Sequence, residues 1–198
     1  MTNLRKDEIL LSIKYFIFII FLPVFLSCSS KEDALTFYKE GVQAYSERNL
    51  KTAIEKFELA SKEDKKLISS RIMLGKSYYY SGRFEDAKKV FEDVVSDFPG
   101  NSNAHSWLGR ILLNEGTKKE EAKQHLVYAT QSDDSQVDAL YYLGKAYEQE
   151  GKIKEALLEY HKALEIKRKF DKIHRDLAEL YRKAGLEERA SEQTQNRE

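Results

Sequence analysis

From about residue 34 onward the chain carries a recurring pattern of small and large apolar positions separated by polar ones. Glycine stands at Gly41, Gly75, Gly109 and Gly144, spaced by 34, 34 and 35 residues, and Ala178 continues the series. Three positions beyond each small residue come Ala44, Tyr78, Leu112, Tyr147 and Tyr181. Twelve beyond it come Ala53, Ala87, Ala122 (shifted by one), Ala156 and Ala190. Phe57, Phe91, Leu126 and Tyr160 follow four later, and Ala60, Val94, Ala129 and Ala163 three later again. A fixed period of this length marks a stacked repeat. Each unit is expected to be two short antiparallel helices, neither with enough apolar surface to be stable alone. The glycines and alanines let the paired helices approach, and Phe57, Phe91 and Tyr160 fill the gap beside the next repeat.

The punctuation agrees with the pattern. Gly82, Gly116, Gly151 and Gly185 follow the first helix of successive units at a constant offset, where a left-handed residue ends a helix. Asn49 is expected to take that role in the first unit. Pro99-Gly100 stops the second helix of the second unit. The extra residue before Ala122 falls in Gly116-Thr-Lys-Lys-Glu-Glu, a longer inter-helix turn.

Leu74-Gly75-x-x-Tyr78…Ala87-x-x-x-Phe91…Pro99 resembles the tetratricopeptide-repeat signature along its length. The resemblance spans residues 34–190 and implies an all-α, right-handed α-solenoid of helix-turn-helix tetratricopeptide repeats. Repeats are expected at 34–67, 68–101, 102–136 and 137–170. A partial fifth at 171–190 would cap the array, because solenoids need polar terminal units. Residues 191–198, lacking the aromatic that register requires, are expected to be a disordered tail.

Residues 1–27 differ in composition. Arg5, Lys6 and Lys14 precede the apolar run from Tyr15 to Leu26, which ends at Ser27-Cys28-Ser29-Ser30. A basic start, a short apolar core and a small residue before the cut describe a secretory signal. The core of about 12 residues falls short of the roughly 20 a bilayer-spanning helix needs, and it contains Pro23. The alternative is an uncleaved signal anchor. Cys28, the one cysteine of the chain, follows Phe25-Leu26-Ser27 in a sequence that resembles a bacterial lipobox. The resemblance implies a lipoprotein signal peptide over 1–27, lipidation (including palmitate) at Cys28, and a tether over 28–33. The competing reading is a cysteine discarded with the peptide. Ser29, rather than Asp, after the cysteine favours the outer membrane, with the soluble array in the periplasm or at the cell surface.

Charge excludes more than it assigns. Removing residues 1–27 takes away three basic and two acidic groups and leaves 30 against 31. A near-neutral chain carries no global nucleic-acid signature. His105, His125, His161 and His174 never fall as His-x-x-x-His, and no spacing suggests a metal. Leu74-Gly75-Lys76-Ser77 lacks the upstream glycine of a phosphate loop, so no cofactor is expected. No nucleophile or acid–base constellation points to an enzyme.

What remains is binding. In tetratricopeptide arrays the first helix of each repeat lines a concave groove, and the position after the glycine points into it. Those positions hold Val42, Lys76, Arg110, Lys145 and Glu179, so three successive ones are basic. Four before them stand Tyr38, Ile72, Ser106, Tyr141 and Arg175; three after, Tyr45, Tyr79, Leu113, Glu148 and Arg182. Tyr38, Tyr45, Tyr79, Tyr80 and Tyr141 with Lys76, Arg110 and Lys145 would suit a peptide carrying carboxylates, since tyrosine supplies contact area and arginine bidentate pairing. The alternative is that these are ordinary exposed cations and core aromatics. Trp107 reads as packing. The carboxylate clamp of chaperone-binding relatives is not transferred, because Tyr38 and Val42 stand where it needs Lys and Asn. The expected function is a membrane-anchored, non-enzymatic scaffold of the bacterial cell envelope that binds a protein or peptide partner. The alternative is an accessory that binds a cell-wall enzyme or the glycan itself through exposed aromatics such as Tyr79 and Tyr80.

Overall fold

The computed structural model describes residues 31–195. The leader over 1–27, Cys28 and residues 196–198 lie outside them. The described residues are helical throughout, apart from short turns. Helix α1 covers 31–46, followed by α2 (Leu50–Glu63), α3 (Ile68–Tyr80), α4 (Phe84–Asp97) and α5 (Ser102–Glu115). Then come α6 (Lys119–Ser132), α7 (Val137–Gln149), α8 (Ile153–Lys183) and α9 (Glu187–Gln195). The chain divides into two compact units, with the division between Val90 and Phe91, inside α4.

Helix ends follow a repeated chemistry. Gly82, Gly151 and Gly185 have φ of 81°, 73° and 73°. After each, the next amide reaches back five residues to the carbonyls of Tyr78, Tyr147 and Tyr181, all at 2.9 Å. This double closure satisfies carbonyls that the helix leaves open. In the first repeat the left-handed residue is Arg48 (φ 60°), not Asn49 as expected. Asn49 sits one place later and caps α2, its side chain accepting from the Thr52 amide. The register explains this: Arg48, not Asn49, lies 34 residues before Gly82. Gly116 closes α5 with a simpler bond to Leu112, leaving room for the extra residue anticipated there.

In the first unit, a Cβ placed on Gly41 would lie 2.7 Å from the Phe57 ring of α2, so the close approach of α1 to α2 requires glycine. The buried Ser70 of α3 donates to the Phe57 carbonyl at 3.2 Å and also meets Ser61, tying the second repeat to the first. The Tyr78 hydroxyl donates to Glu58 across the same junction. Burial and that carboxylate push the Tyr78 phenol up to about 12.

In the second unit Gly109 meets Leu126 and Gly144 meets Tyr160 in the same way. Gln136 donates to Ser102 at 2.6 Å, joining the same turn position in successive repeats. Lys123 of α6 pairs with Glu150 after α7 at 2.7 Å.

Two expectations are corrected at the C-terminus. The chain does not turn at the 170/171 boundary: α8 runs unbroken for 31 residues. The cause is local. Asp64 and Asp133 end α2 and α6 in an extended conformation, and their carboxylates accept from the amides of Lys66 and Ser135. Phe98-Pro99 ends α4 at the corresponding place. Lys167 stands there in the fourth repeat, without an acceptor side chain or a proline, so the helix continues. The tail is not disordered as far as it is described. Residues 191–195 are helical, with the Ser191 and Thr194 hydroxyls bonded to the preceding turn and Gln193 bonded to His174 of α8. Residues 31–33, expected to be tether, already belong to α1.

Candidate functional site

The residues singled out in the sequence fall into two clusters, one in each unit. In the first unit Tyr45, Tyr80, Tyr79 and Phe84 form a ribbon of edge-to-face rings with centroids 6.4, 5.6 and 5.2 Å apart. Such contacts set the positive ring edge against the negative face of its neighbour. Tyr80 and Phe84 are half exposed, so the ribbon is a surface feature. Burial, with Tyr80 adding to it, raises the Tyr45 phenol above its ordinary value. Tyr38 does not join the ribbon; its ring lies 5.9 Å from the core ring of Phe57 and serves packing. Lys76, on α3, is half-buried.

The second cluster is built around a cation. The Arg110 guanidinium lies 4.7 Å from the Trp107 ring centroid and 4.8 Å from that of Tyr142. Trp107 in turn stacks on Phe91 at 5.7 Å with the planes only 9° apart. Trp107 therefore both packs against Phe91 and serves as a platform for Arg110. Tyr142 meets Tyr141 edge-on at 5.1 Å, and Lys145 lies 5.9 Å over the Tyr141 ring. Tyr141 is 44% exposed. A guanidinium packed beside two rings has lost much of its side-chain freedom already, and its planar N–H groups match the geometry of a carboxylate. Arg110 and Lys145 are thus linked through the neighbouring rings of Tyr142 and Tyr141. The sequence reading missed Tyr142, which stands on the first helix of the repeat after that of Arg110. It also placed Ile72, Ser106 and Leu113 in the groove, and all three are buried.

A third polar feature joins α5 to α6. His105 Nε2 bonds the Pro99 carbonyl at 3.0 Å, and its Nδ1 meets His125 Nδ1 at 2.8 Å. Nε2 has to donate to the carbonyl, so Nδ1 of His105 accepts and His125 donates. Burial holds both imidazoles below their ordinary value, with His105 adding to the effect on His125. Among the described residues no group of three or more His, Cys, Asp or Glu could hold a metal ion. No described helix is long and apolar enough to cross a membrane.

Family profiles described as tetratricopeptide repeat match residues 72–135 and 137–170. No curated protein sequence matches the chain. Several solved structures share the fold. The crystal structure of MamA is 23% identical, with a TM-score of 0.60, covering 83% of this chain and 89% of that one. The thermophilic tetratricopeptide protein TTC0263 of Thermus thermophilus is 21% identical over the same shares, with a TM-score of 0.61. The first repeat domain of Spaghetti (RPAP3), solved with the HSP90 peptide SRMEEVD, is 17% identical, with a TM-score of 0.57, covering 61% of this chain and 95% of that one.

Proposed function

We propose that this chain, a tetratricopeptide-repeat protein, is a non-enzymatic scaffold that captures an acidic segment of a partner protein. The observation that carries the reading is the caged Arg110, with Lys145 beside the exposed Tyr141. A cation fixed by aromatic rings binds carboxylate without first ordering a flexible side chain, and the surrounding tyrosines cover the apolar part of a peptide. Among structures of like fold, the Spaghetti domain binds a peptide that is itself acidic. The resemblance of residues 1–28 to a lipoprotein leader adds an address. With Cys28 lipidated, the array works at a membrane of the bacterial envelope, and we favour the outer membrane from Ser29.

The test is partner capture from detergent-solubilised membranes, read by mass spectrometry. The baits are wild type, Cys28→Ala, and a variant with Lys76, Arg110 and Lys145 all replaced by Ala. The reading expects a specific partner with wild type and its loss with the triple variant. Capture unchanged by the triple variant would overturn it. Loss with Cys28→Ala alone would show that recognition needs the membrane. The exposed Tyr79–Tyr80–Phe84 ribbon favours a second reading, stacking on cell-wall glycan, which expects retention on purified sacculi that is lost in Tyr79→Ala with Tyr80→Ala.

A further inference from the structure

Where α8 runs beside α7, Ala156 and Ala163 are buried on one face. That face continues toward the C-terminus in steps of three, four, three, four and three as Ile166, Phe170, Ile173, Leu177 and Leu180. The steps alternate as they do along the seam of a coiled coil. Phe170, Ile173 and Leu180 are 53%, 53% and 62% exposed. At its near end the stripe forms one wall of a recess of about 750 Å³, whose other walls include Val127, Leu140 and Leu143. Leu177 and Leu180 lie further along and outside it. Helix α9 covers a different face, through Ala178, Ala190 and the His174–Gln193 hydrogen bond.

We propose that this stripe is the seam of a homodimer in which the α8 helices of two copies pair antiparallel. Five seam residues cover about 21 Å of helix, a length suited to another helix. The chain is self-complementary there. One end of the stripe is an apolar overhang, Leu177 and Leu180, and the other a recess beside Ile166 and Phe170 whose walls mix Leu140 and Leu143 with the charged Asp134, Glu159 and Lys162. An antiparallel two-fold sets each overhang on the other copy's recess, with Ile166 opposite Leu177 and Phe170 opposite Ile173, and so covers both in one isologous contact. On one flank of the seam's centre the charges are complementary. The same alignment brings Lys169 of one copy beside Asp176 of the other, and symmetry provides that pair twice. The surface Glu165–Lys169 pair that Lys169 makes within its own helix is readily exchanged for it.

The experiment uses the full chain in mild detergent, with Cys28→Ser so that introduced cysteines are the only thiols. Sedimentation should show a dimer, and Ile173→Glu should lose it while far-UV circular dichroism shows the helix content retained. A monomeric starting chain, or a dimer that persists in a folded Ile173→Glu, would overturn the proposal. Orientation is read by mixing chains that carry Phe170→Cys with chains that carry Ile173→Cys. Antiparallel pairing yields disulfides between unlike chains. Disulfides mainly between like chains, or none at all, would refute the arrangement.

Discussion

Gly109→Ala puts the close approach of paired helices to a direct test. In the middle of a helix, alanine in place of glycine normally adds about 1 kcal/mol of stability. Here the added Cβ would lie 2.6 Å from Cγ of Leu126 and 2.9 Å from the carbonyl oxygen of Ala122. Leu126 is fully buried, and the carbonyl belongs to the backbone of α6, so neither can yield without moving the helix. Overpacking costs about 1–3 kcal/mol, and contacts this short against a buried side chain and a backbone carbonyl place this site at about 2–3 kcal/mol, above the propensity gain. The expected net loss is about 1–2 kcal/mol. Gly144→Ala is the internal comparison. Its Cβ meets Tyr160 at 2.6 Å, but only the ring, which is half-buried and can swing away, so it should cost less. Urea denaturation followed by circular dichroism measures both variants. Solenoids unfold by neighbouring repeats, so hydrogen exchange should place the Gly109→Ala loss in α5 and α6. A Gly109→Ala protein as stable as wild type would show that the helices can spread there, and the close-contact argument would be wrong.

Other expectations follow from single sites. Arg48→Gly relieves a left-handed residue that bears a side chain and should raise stability by about 1 kcal/mol, seen as a higher melting temperature; no rise would mean the turn is unstrained. His105 and His125 are held below their ordinary value in the fold, so the unfolded chain binds more protons in acid. The stability they confer is complete above the unfolded value of about 6.5 and is lost as pH falls below it. Melting temperature should therefore drop from about pH 7 to about pH 5, and His125→Gln should flatten that drop. Tyr78 and Tyr160, each bonded to a glutamate, should ionise only near about 12 in a spectrophotometric titration, and Tyr78→Phe should remove one such late step. Arg110→Ala should cost about 1–2 kcal/mol from its lost ring contacts alone, so the triple variant used for partner capture should melt measurably lower while staying helical.

The repeat was legible because every unit solves the same packing problem with the same residue sizes. Gly41, Gly109 and Gly144 each stand where a side chain would strike the facing helix. The Arg110 cluster was half legible. Register places Arg110, Lys145 and Tyr141 on first helices, but a ring becomes a cation's platform through side-chain rotamers. Tyr142 therefore escaped notice, and the burial of Ile72, Ser106 and Leu113 was missed. The left-handed residue of the first repeat was misplaced by one position, because asparagine's tolerance of that conformation outweighed a strict count from Gly82.

The sequence by itself determined the period, the helix pairs, the glycine contacts and the polar chemistry at the turns. These depend on residues close in the chain or one repeat apart, where spacing stands in for geometry. Tertiary structure alone decided what the long α8 leaves uncovered. The lack of an Asx or proline stop at Lys167 was written in the sequence, but its consequence was not. A helix that fails to turn carries Phe170, Ile173 and Leu180 into solvent instead of folding them under a fifth repeat. Whether an apolar residue is core or interface depends on what lies opposite it, and position in the chain does not record that.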